Sequence, residues 1–237
     1  MGKKIKAIIL KFPGTNNDVE TARALKIVGA EPDILPVSLL SKKIILNYSL
    51  LVLAGGFSYG DYVYAGKLAA LELKKKLNDT IFEFAEKDRF ILGICNGFQI
   101  LLELNMLPEG FLAQNKNKHF ICQWCKLKIN QINNFFTKYF PDEIELPVAH
   151  FEGKFISKNN NAEKYVNNGS AFILYKEDIN GSEKNIAGLC DKNKKIFGLM
   201  PHPERFIYKE EYHSPDIYKK KFGYGYYFFK ALIDFLK

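Results

Sequence analysis

Short apolar runs alternate with longer amphipathic segments along the first hundred residues, and this alternation limits the chain to a few folds. Lys6–Leu10 and Phe90–Ile94 have the length and composition of buried strands, and Leu50–Ala54 is wholly apolar. Strands buried on both faces belong to the interior of a parallel sheet. Helical segments between such strands supply the crossover connections. We therefore predict an α/β protein with a mainly parallel central sheet flanked by helices.

The other elements of this half follow from periodicity and from helix-end signals. Asn17, with Glu20 three positions on, resembles a capping pair, and Gly29 is expected to end the helix that it begins. The remaining predictions here are a strand at 33–37 and helices at 67–86 and 96–104.

From about residue 111 strand-like segments follow one another with few helices between them, near 120–130, 145–149, 170–175, 186–190 and 196–200. Such a run predicts an antiparallel extension of the parallel core. The polar stretch 157–169 is expected to be a surface loop. Tyr218–Lys237 is predicted to be a closing helix, interrupted near Gly223 and Gly225. Since no repeat or long linker divides the chain, residues 1–237 are expected to form a single domain.

The segment Gly93-Ile94-Cys95-Asn96-Gly97 directly follows a predicted buried strand and opens a predicted helix. Its spacing matches the nucleophile elbow Gly-x-Ser-x-Gly, with cysteine in place of serine. The two glycines leave room for a strained turn that exposes the central side chain above the sheet. The helix N-terminus favours the thiolate and offers a backbone N–H to a developing oxyanion. Cys95 is therefore predicted to be a nucleophile rather than a structural cysteine.

A cysteine nucleophile needs a base and a group that orients the base. Of the four histidines, His202 lies between two prolines directly after a predicted strand, and Glu204 follows two residues later. In an extended segment, side chains two positions apart point to the same side, so the carboxylate can hold the far N–H of the imidazole. We predict His202 as the base and Glu204 as the residue that orients it.

A glycine-rich segment, Gly55–Tyr62, follows the predicted central strand. Glycines at the carboxyl end of a strand let backbone N–H groups approach a ligand closely, as an oxyanion hole requires. The following residues resemble a phosphate-binding P-loop, but five residues rather than four separate Gly60 from Gly66, and Leu68 stands where Ser or Thr should bind magnesium. The sequence thus predicts an oxyanion site and no nucleotide site here.

The charge composition and the length of the apolar runs argue against nucleic-acid-binding and membrane-spanning proteins. The chain has 34 basic and 26 acidic residues, a formal net charge of +8, but only Arg23, Arg89 and Arg205 are arginines. Because nucleic-acid readers favour arginine, we interpret the excess charge as a solvated lysine-rich surface rather than a nucleic-acid site. Apolar runs are too short to span a membrane and no signal peptide is recognisable, so a cytosolic protein with no membrane partner is expected.

The cysteines outside the elbow indicate no metal centre. Cys122 and Cys125 form a lone Cys-x-x-Cys without a second pair or a histidine at zinc-ligand spacing. They lie in an apolar segment of strand character, so both are expected to be core cysteines and no metal site is predicted.

Together these segments resemble the class I (triad-type) glutamine amidotransferases, and among them the subfamily of glutaminase subunits of phosphoribosylformylglycinamidine synthase. The resemblance covers nearly the whole chain and is carried by Phe12–Asp18, Gly55–Tyr62, Gly93–Gln99, Pro147–His150 and Met200–Arg205. It departs from the subfamily pattern at Tyr64, where arginine is common, and at Phe151, where glycine is usual. These departures leave the triad intact and put subunit contacts and local loop shape in question.

The resemblance implies a flavodoxin-like fold and a role for each site residue. Cys95 would attack the side-chain amide of glutamine, His202 would shuttle the proton and Glu204 would orient His202. Substrate binding and oxyanion stabilisation would come from Gly55, from the backbone of Gly56 or Phe57, from the backbone of Asn96, and from the side chain of Gln99.

The resemblance also implies partners. The ammonia would pass to a large synthetase subunit that converts formylglycinamide ribonucleotide to formylglycinamidine ribonucleotide in de novo purine biosynthesis, and a small bridging subunit would join the complex. No cofactor is expected in this chain, and ATP and Mg²⁺ are expected in the synthetase. Two alternatives remain open: a free-standing cysteine hydrolase of another γ-glutamyl compound, and a non-catalytic binding or stress protein of the same fold.

Overall fold

The computed structural model describes residues 4–132, 134–216 and 218–237. The strands are β1 (Lys6–Lys11), β2 (Glu31–Pro36), β3 (Leu50–Leu53), β4 (Phe90–Ile94), β5 (Gly110–Ala113), β6 (Ile121–Ile129), β7 (Glu143–His150), β8 (Lys154–Ser157), β9 (Ala171–Tyr175), β10 (Ile186–Cys190) and β11 (Ile196–Leu199). The α-helices are α1 (Asp18–Ile27), α2 (Lys42–Ile45), α3 (Lys67–Leu77), α4 (Thr80–Glu86), α5 (Asn96–Glu103), α6 (Asn134–Thr137), α7 (Ala162–Asn167) and α8 (Tyr224–Phe235).

The main sheet has the strand order β2-β1-β3-β4-β11-β10-β9-β6-β7. Its first five strands are parallel, and the four that follow are antiparallel to their neighbours. The predicted parallel core with an antiparallel extension is thus confirmed. β5 and β8 form a separate antiparallel pair.

The interior of the parallel core explains why its strands read as apolar runs. Every residue of β3, β4 and β11 is buried, because these strands are covered on both faces. β2 lies at the edge of the sheet and has no fully buried residue. The parallel strands all end at the same edge, and the segments that follow β1, β3, β4 and β11 meet there. This edge carries the predicted functional residues.

Several element predictions need correction. The predicted helix at 67–86 is two helices, α3 and α4, because the backbone at Asn78 has φ 47°, a conformation that asparagine tolerates better than most residues. The predicted loop at 157–169 contains the short helix α7. The closing helix begins six residues later than predicted. Its preceding residues pair instead with the segment after β11, where the Gly223 amide donates to the Ile207 carbonyl oxygen at 2.8 Å.

The prediction of two core cysteines in the Cys-x-x-Cys segment is half wrong. Cys125 is buried, but Cys122 is exposed. Both lie on β6, and residues three apart on a strand point to opposite faces. One of these faces packs on the core while the other meets solvent, so Cys122 is an accessible thiol.

In the described part of the chain, no helix has the length and apolar character needed to cross a bilayer.

Candidate active site

The backbone at Cys95 forms the strained turn predicted from the glycine spacing. Cys95 lies between β4 and α5 with φ 51° and ψ −104°, a conformation that L-residues adopt only when the surrounding structure enforces it. Its amide donates to the Leu199 carbonyl oxygen at 2.8 Å. A side chain at Gly97 would place its Cβ 1.9 Å from the Leu53 carbonyl oxygen. Only glycine therefore allows α5 to begin this close to the sheet, and the predicted nucleophile elbow is present.

His202 and Glu204 form a buried pair at the same sheet edge. Nδ1–H of His202 donates to Oε1 of Glu204 at 2.6 Å, and the exposed fractions of the two side chains are 2% and 0%. The His202 amide donates to the Pro147 carbonyl oxygen at 2.8 Å, which fixes the segment against β7. Because Nδ1 is engaged by the carboxylate, Nε2 is the atom left to exchange a proton with a nucleophile.

The electrostatics of the pair couple it to Cys95. Burial acts to lower the pKa of His202, but the charges of Glu204 and Cys95 raise it to about 10. Burial acts to raise the pKa of Glu204, yet the His202 charge and the hydrogen bonds it accepts hold it below its usual value. Nε2 of His202 has no hydrogen-bond partner among the described residues. Contacts between a nucleophile and its base are commonly loose until substrate binds.

Asn17 extends this arrangement, and the capping role predicted for it from sequence is wrong. It makes no side-chain capping bond to α1. Instead its Nδ2 donates to Oε1 of Glu204 at 2.8 Å, while Nη2 of Arg205 donates to its Oδ1 at 3.1 Å. Since Arg205 fixes which end of the amide faces inward, Asn17 presents donors to the carboxylate. Hydrogen bonds thus connect Arg205 to Asn17, Asn17 to Glu204, and Glu204 to His202. The charge of Cys95 in turn raises the pKa of His202.

Asn17 also explains why the first glycine after β3 is required. A Cβ on Gly55 would lie 3.0 Å from Cε1 of His202 and 3.2 Å from Nδ2 of Asn17. The Gly55 carbonyl oxygen accepts from the Asn17 amide at 3.2 Å. Gly55 therefore makes room for the His202–Asn17 contact.

Replacing Asn17 with alanine is expected to lower the turnover of the predicted triad by roughly 10–100-fold, the worth of one hydrogen bond to a charged group. Asn17 holds the carboxylate and not the substrate, so KM should change little. Loss of the bond should raise the pKa of Glu204 and move the acid limb of the kcat profile to higher pH. Steady-state rates between pH 5 and 9 check this, with the exposed neighbour Asn16→Ala as the control. An unmoved acid limb would contradict the assignment.

A small cavity of about 80 Å³ opens beside Cys95. Its lining residues are Gly56, Phe57, Asp61, Ala65, Cys95, Gln99, Ala149, His150, Phe151 and Glu152. The Cys95 Sγ lies 3.6 Å from the Ala149 carbonyl oxygen. The cavity thus brings the predicted nucleophile together with three of the predicted substrate-binding residues, Gly56, Phe57 and Gln99. It is also lined by Phe151, one of the two departures from the subfamily pattern.

The two candidate donors in the glycine loop differ. The Phe57 amide already donates to the Gly14 carbonyl oxygen at 2.9 Å, so it is not available to an oxyanion in this conformation. The Gly56 amide has no such bond among the residues described. At the other side of Cys95, the Asn96 amide lies in the first turn of α5, where helix N–H groups have no intrahelical partner. Gly56 and Asn96 therefore remain the predicted oxyanion donors.

The side chains of Asn96 and Gln99 hold the cavity wall together. Nδ2 of Asn96 donates to Oε1 of Gln99 at 2.9 Å and to Oδ1 of Asp61 at 3.2 Å. Nε2 of Gln99 donates to the Glu152 carbonyl oxygen at 2.7 Å. The amide of Gln99 is therefore engaged in positioning neighbouring groups.

The geometry does not make His150 the base, although it lies at the cavity. Its Nδ1–H donates to Oδ1 of Asn115 at 3.0 Å, and Nδ2 of Asn115 donates to the His150 carbonyl oxygen at 2.9 Å. Burial and the nearby His202 charge lower the pKa of His150 to about 4. No carboxylate bonds to its ring in the described chain, so His150 lacks the orienting acid that His202 has.

Sequence reasoning missed Asn17, Asp61 and Glu152 as site residues. Asn17 and Asp61 lie in segments that carry the family resemblance, but their chemistry depends on contacts with distant parts of the chain. Tyr64 is exposed and does not line the cavity beside Cys95.

Comparison with known proteins agrees with this geometry. The profile of the CobB/CobQ-like glutamine amidotransferase domain matches residues 4–236. The chain is 40% identical over 206 residues to phosphoribosylformylglycinamidine synthase subunit PurQ of Pyrococcus horikoshii, covering 85% of this chain and 89% of that protein. It is 39% identical over 206 residues to the protein of the same name from Thermotoga maritima, covering 86% and 89%.

Solved structures give the same result. The structure of PurLQS from Thermotoga maritima contains a chain that superposes with a TM-score of 0.82 at 34% identity, over 99% of this chain and 100% of that chain. A glutamine amidotransferase from Thermotoga maritima superposes with a TM-score of 0.58 at 21% identity, over 89% and 80% of the two chains. At that identity the second likeness shows the fold alone.

Proposed function

Since the chain belongs to the glutamine amidotransferase family of the phosphoribosylformylglycinamidine synthase PurQ subunits, we propose that Cys95, His202 and Glu204 form the triad with which it releases ammonia from glutamine. The ammonia is supplied to a partner synthetase that converts formylglycinamide ribonucleotide to formylglycinamidine ribonucleotide with ATP in purine biosynthesis. The chain is thus the glutaminase subunit of an enzyme complex.

The first half of the reaction forms a thioester. The Cys95 thiolate attacks the side-chain amide carbon of glutamine, and the carbonyl electron pair moves to oxygen. The amides of Gly56 and Asn96 donate to this oxyanion. As the carbonyl re-forms, the C–N bond breaks and Nε2–H of His202 gives its proton to the leaving nitrogen. Ammonia departs and a γ-glutamyl thioester remains on Cys95.

The second half restores the enzyme. Neutral His202 takes a proton from water, and the resulting hydroxide adds to the thioester carbon. Collapse of the second oxyanion breaks the C–S bond and returns the thiolate beside protonated His202, and the new γ-carboxyl group loses its proton to solvent as glutamate leaves. Glu204 stabilises the imidazolium in the resting state and in the two tetrahedral intermediates. The sum is one glutamine and one water converted to one glutamate, one ammonia and one proton.

Each of these steps uses only groups of the protein, so we propose that the chain itself takes no cofactor, that ATP and Mg²⁺ act in the large synthetase subunit, and that a small bridging subunit completes the complex. We place this activity in the cytosol, with the other components of the complex.

The single observation that carries the proposal is the His202–Glu204 pair of 2.6 Å, electrostatically coupled to Cys95, which itself lines the small cavity. A non-catalytic protein of this fold would have no reason to bury this pair beside a strained cysteine. A free-standing hydrolase would use the same triad, so only its dependence on a partner separates the two.

We expect the isolated chain to hydrolyse glutamine slowly and the assembled complex to hydrolyse it faster, by roughly 10-fold or more when the synthetase, ATP and formylglycinamide ribonucleotide are present together. Free ammonia is mostly protonated at neutral pH, and releasing it without an acceptor wastes glutamine. Docking of a partner can instead complete the oxyanion site through the loop at 56–62. Glutamate release measured with each component omitted in turn checks this. Equal rates for the isolated chain and the complex would favour the free-standing hydrolase.

A further inference from the structure

Arg205 links the buried triad to the surface of the protein. Its side chain is 34% exposed, whereas Asn17 and Glu204, which connect it to His202, are buried. Nη2 of Arg205 donates to Oδ1 of Asn17 at 3.1 Å. On the outer side, Nε of Arg205 lies 3.6 Å from Oε2 of Glu20, a residue of α1 whose side chain is 49% exposed. Arg205 therefore has one partner inside the protein and one at its surface.

The backbone is fixed on both sides of the Arg205–Asn17 bond. The turn that carries Arg205 packs so closely against the start of α8 that a Cβ on Gly225 would lie 1.7 Å from the Pro203 carbonyl oxygen. Across the bond, the hydroxyl of Thr21 donates to the Asn17 carbonyl oxygen at 2.7 Å. The bond therefore joins two side chains whose main chains are held in place.

The amide of Asn17 has a charged partner at each end. Its Nδ2 donates to Oε1 of Glu204 at 2.8 Å and lies 3.1 Å from Nδ1 of His202, while its Oδ1 accepts from Arg205. Rotating the amide by half a turn would place Nδ2 against the guanidinium and Oδ1 against the carboxylate, and both contacts would be repulsive. Because hydrogen bonds to charged groups are the stronger kind, Arg205 and Glu204 together fix the orientation in which Asn17 donates to the triad.

Glu204 depends on this amide because few other donors reach its carboxylate. Its side-chain donors among the described residues are His202 and Asn17, both at Oε1, and Oε2 is buried without a partner there. Burial acts to raise the pKa of Glu204, and the His202 charge and the hydrogen bonds from His202 and Asn17 lower it. Two other titratable groups are coupled to His202: Cys95, whose charge raises the pKa of His202, and His150, whose own pKa burial and the His202 charge lower. The Asn17 bond thus helps to keep Glu204 ionised.

We infer that Arg205 is a positioning residue of the active site, which holds the Asn17 amide toward Glu204 and so keeps the His202–Glu204 pair in its ionised form. This inference rests on the proposed triad and adds to it a residue that does not line the cavity beside Cys95. Since Arg205 acts through Asn17, its loss cannot cost more than the loss of Asn17 itself. Both replacements are expected to lower the same rate constant and to shift the same limb of the pH profile.

The test is a double-mutant cycle in the assembled complex, with Arg205→Met, Asn17→Ala and the two together. We expect Arg205→Met to lower kcat for glutamine by roughly 10-fold with little change in KM, since a hydrogen bond to a charged group is worth about this factor. The acid limb of its kcat profile should move to higher pH, because loss of the Asn17 bond raises the pKa of Glu204. In the Asn17→Ala background, Arg205→Met should lower kcat by less than about twofold, because the effects of residues in one network are not additive.

Glu20→Gln is the matched control. It removes the surface partner of Arg205 and leaves the Asn17 bond, and because an exposed ion pair contributes little, kcat should stay within about twofold of that of the unmodified complex. Arg205→Gln removes the charge but keeps a polar side chain, and it takes the place of Arg205→Met if methionine prevents assembly. Co-purification of each variant with the synthetase checks that the chain folds and assembles.

An unchanged kcat in Arg205→Met would overturn the inference. A lower kcat with an unmoved acid limb would also overturn it, because it would make Arg205 a structural residue. Effects that multiply in the double variant would do the same, because they would show that Arg205 acts independently of Asn17. Failure of the unmodified complex to hydrolyse glutamine would instead contradict the proposed function, so the two failures are distinguishable.

Discussion

In the assembled complex, replacing Cys95 with alanine is expected to lower glutamine-dependent synthesis by at least about 10⁴-fold, the loss typical of removing a nucleophile from a triad. Among the described residues that line the cavity there is no second cysteine to form the thioester. Synthesis driven by added ammonium should continue, because external ammonia bypasses the glutaminase site and reaches the synthetase directly. Formation of the amidine product with each nitrogen source measures the two activities.

The exposed Cys122 provides a matched control. Cys122→Ala removes an accessible thiol far from the elbow in sequence and should leave both activities intact. An electrophilic glutamine analogue should alkylate Cys95 rapidly, whereas a small general thiol reagent should also modify Cys122. If Cys95→Ala abolished ammonium-dependent synthesis as well, Cys95 would be a structural residue and the nucleophile assignment would be wrong.

The elbow was predictable because its signals are local. A buried strand, two glycines and a helix start lie within about fifteen residues, and the nucleophile elbow is the turn that joins them. The same holds for His202 and Glu204, which share one extended segment. Predicting that the two segments meet in space required the sheet topology as well. Parallel strands end at a common sheet edge, so the neighbouring strands β4 and β11 bring Cys95 and His202 together.

What sequence reasoning missed depends on long-range contacts. Asn17 has a residue type and position typical of a helix cap, but its Oδ1, the atom that would accept from a helix N–H, accepts from Arg205 instead, and its Nδ2 donates to Glu204, 187 residues away. Hydrogen bonds to these two charged groups are stronger than a bond to a neutral helix N–H would be. Asp61 and Glu152 come from separate turns, and their shared cavity exists only after β3 and β7 have joined the same sheet.

Predictions from local propensity were also wrong for two surface segments, the outer face of β6 and the helix α7. Cys122 is exposed because the outer face of β6 meets solvent, and apolar content alone does not specify which face is covered. The helix α7 forms in a polar stretch because Ala162 and Tyr165 are buried against the rest of the chain. Tertiary packing in this case outweighed a composition typical of loops.

His202→Ala is expected to lower the glutaminase turnover of the complex by roughly 10²–10⁴-fold, the usual worth of a positioned general acid and base. Without the imidazole, the leaving nitrogen has no proton donor and the attacking water has no base. The exposed His119→Ala is the control, because His119 contacts its neighbours through its backbone and should retain full activity. Ammonium-dependent synthesis should survive in both variants, and co-purification of each variant with the synthetase checks that the chain folds and assembles.

Glu204→Gln is expected to lower the glutaminase turnover less than His202→Ala does. Its pH profile separates the effect of the Glu204 charge from the effect of its hydrogen bond to His202. The amide oxygen still accepts Nδ1–H of His202, so the ring keeps its orientation, but the negative charge that raises the pKa of His202 is gone. The folded-state pKa of His202 should therefore fall, and the protonated form that supplies the leaving nitrogen should be lost at lower pH. The alkaline limb of the kcat profile should move to lower pH in Glu204→Gln relative to the unmodified complex. If turnover falls in Glu204→Gln while the alkaline limb stays at the same pH, Glu204 acts only through packing. Full activity of His202→Ala would mean that another residue is the base.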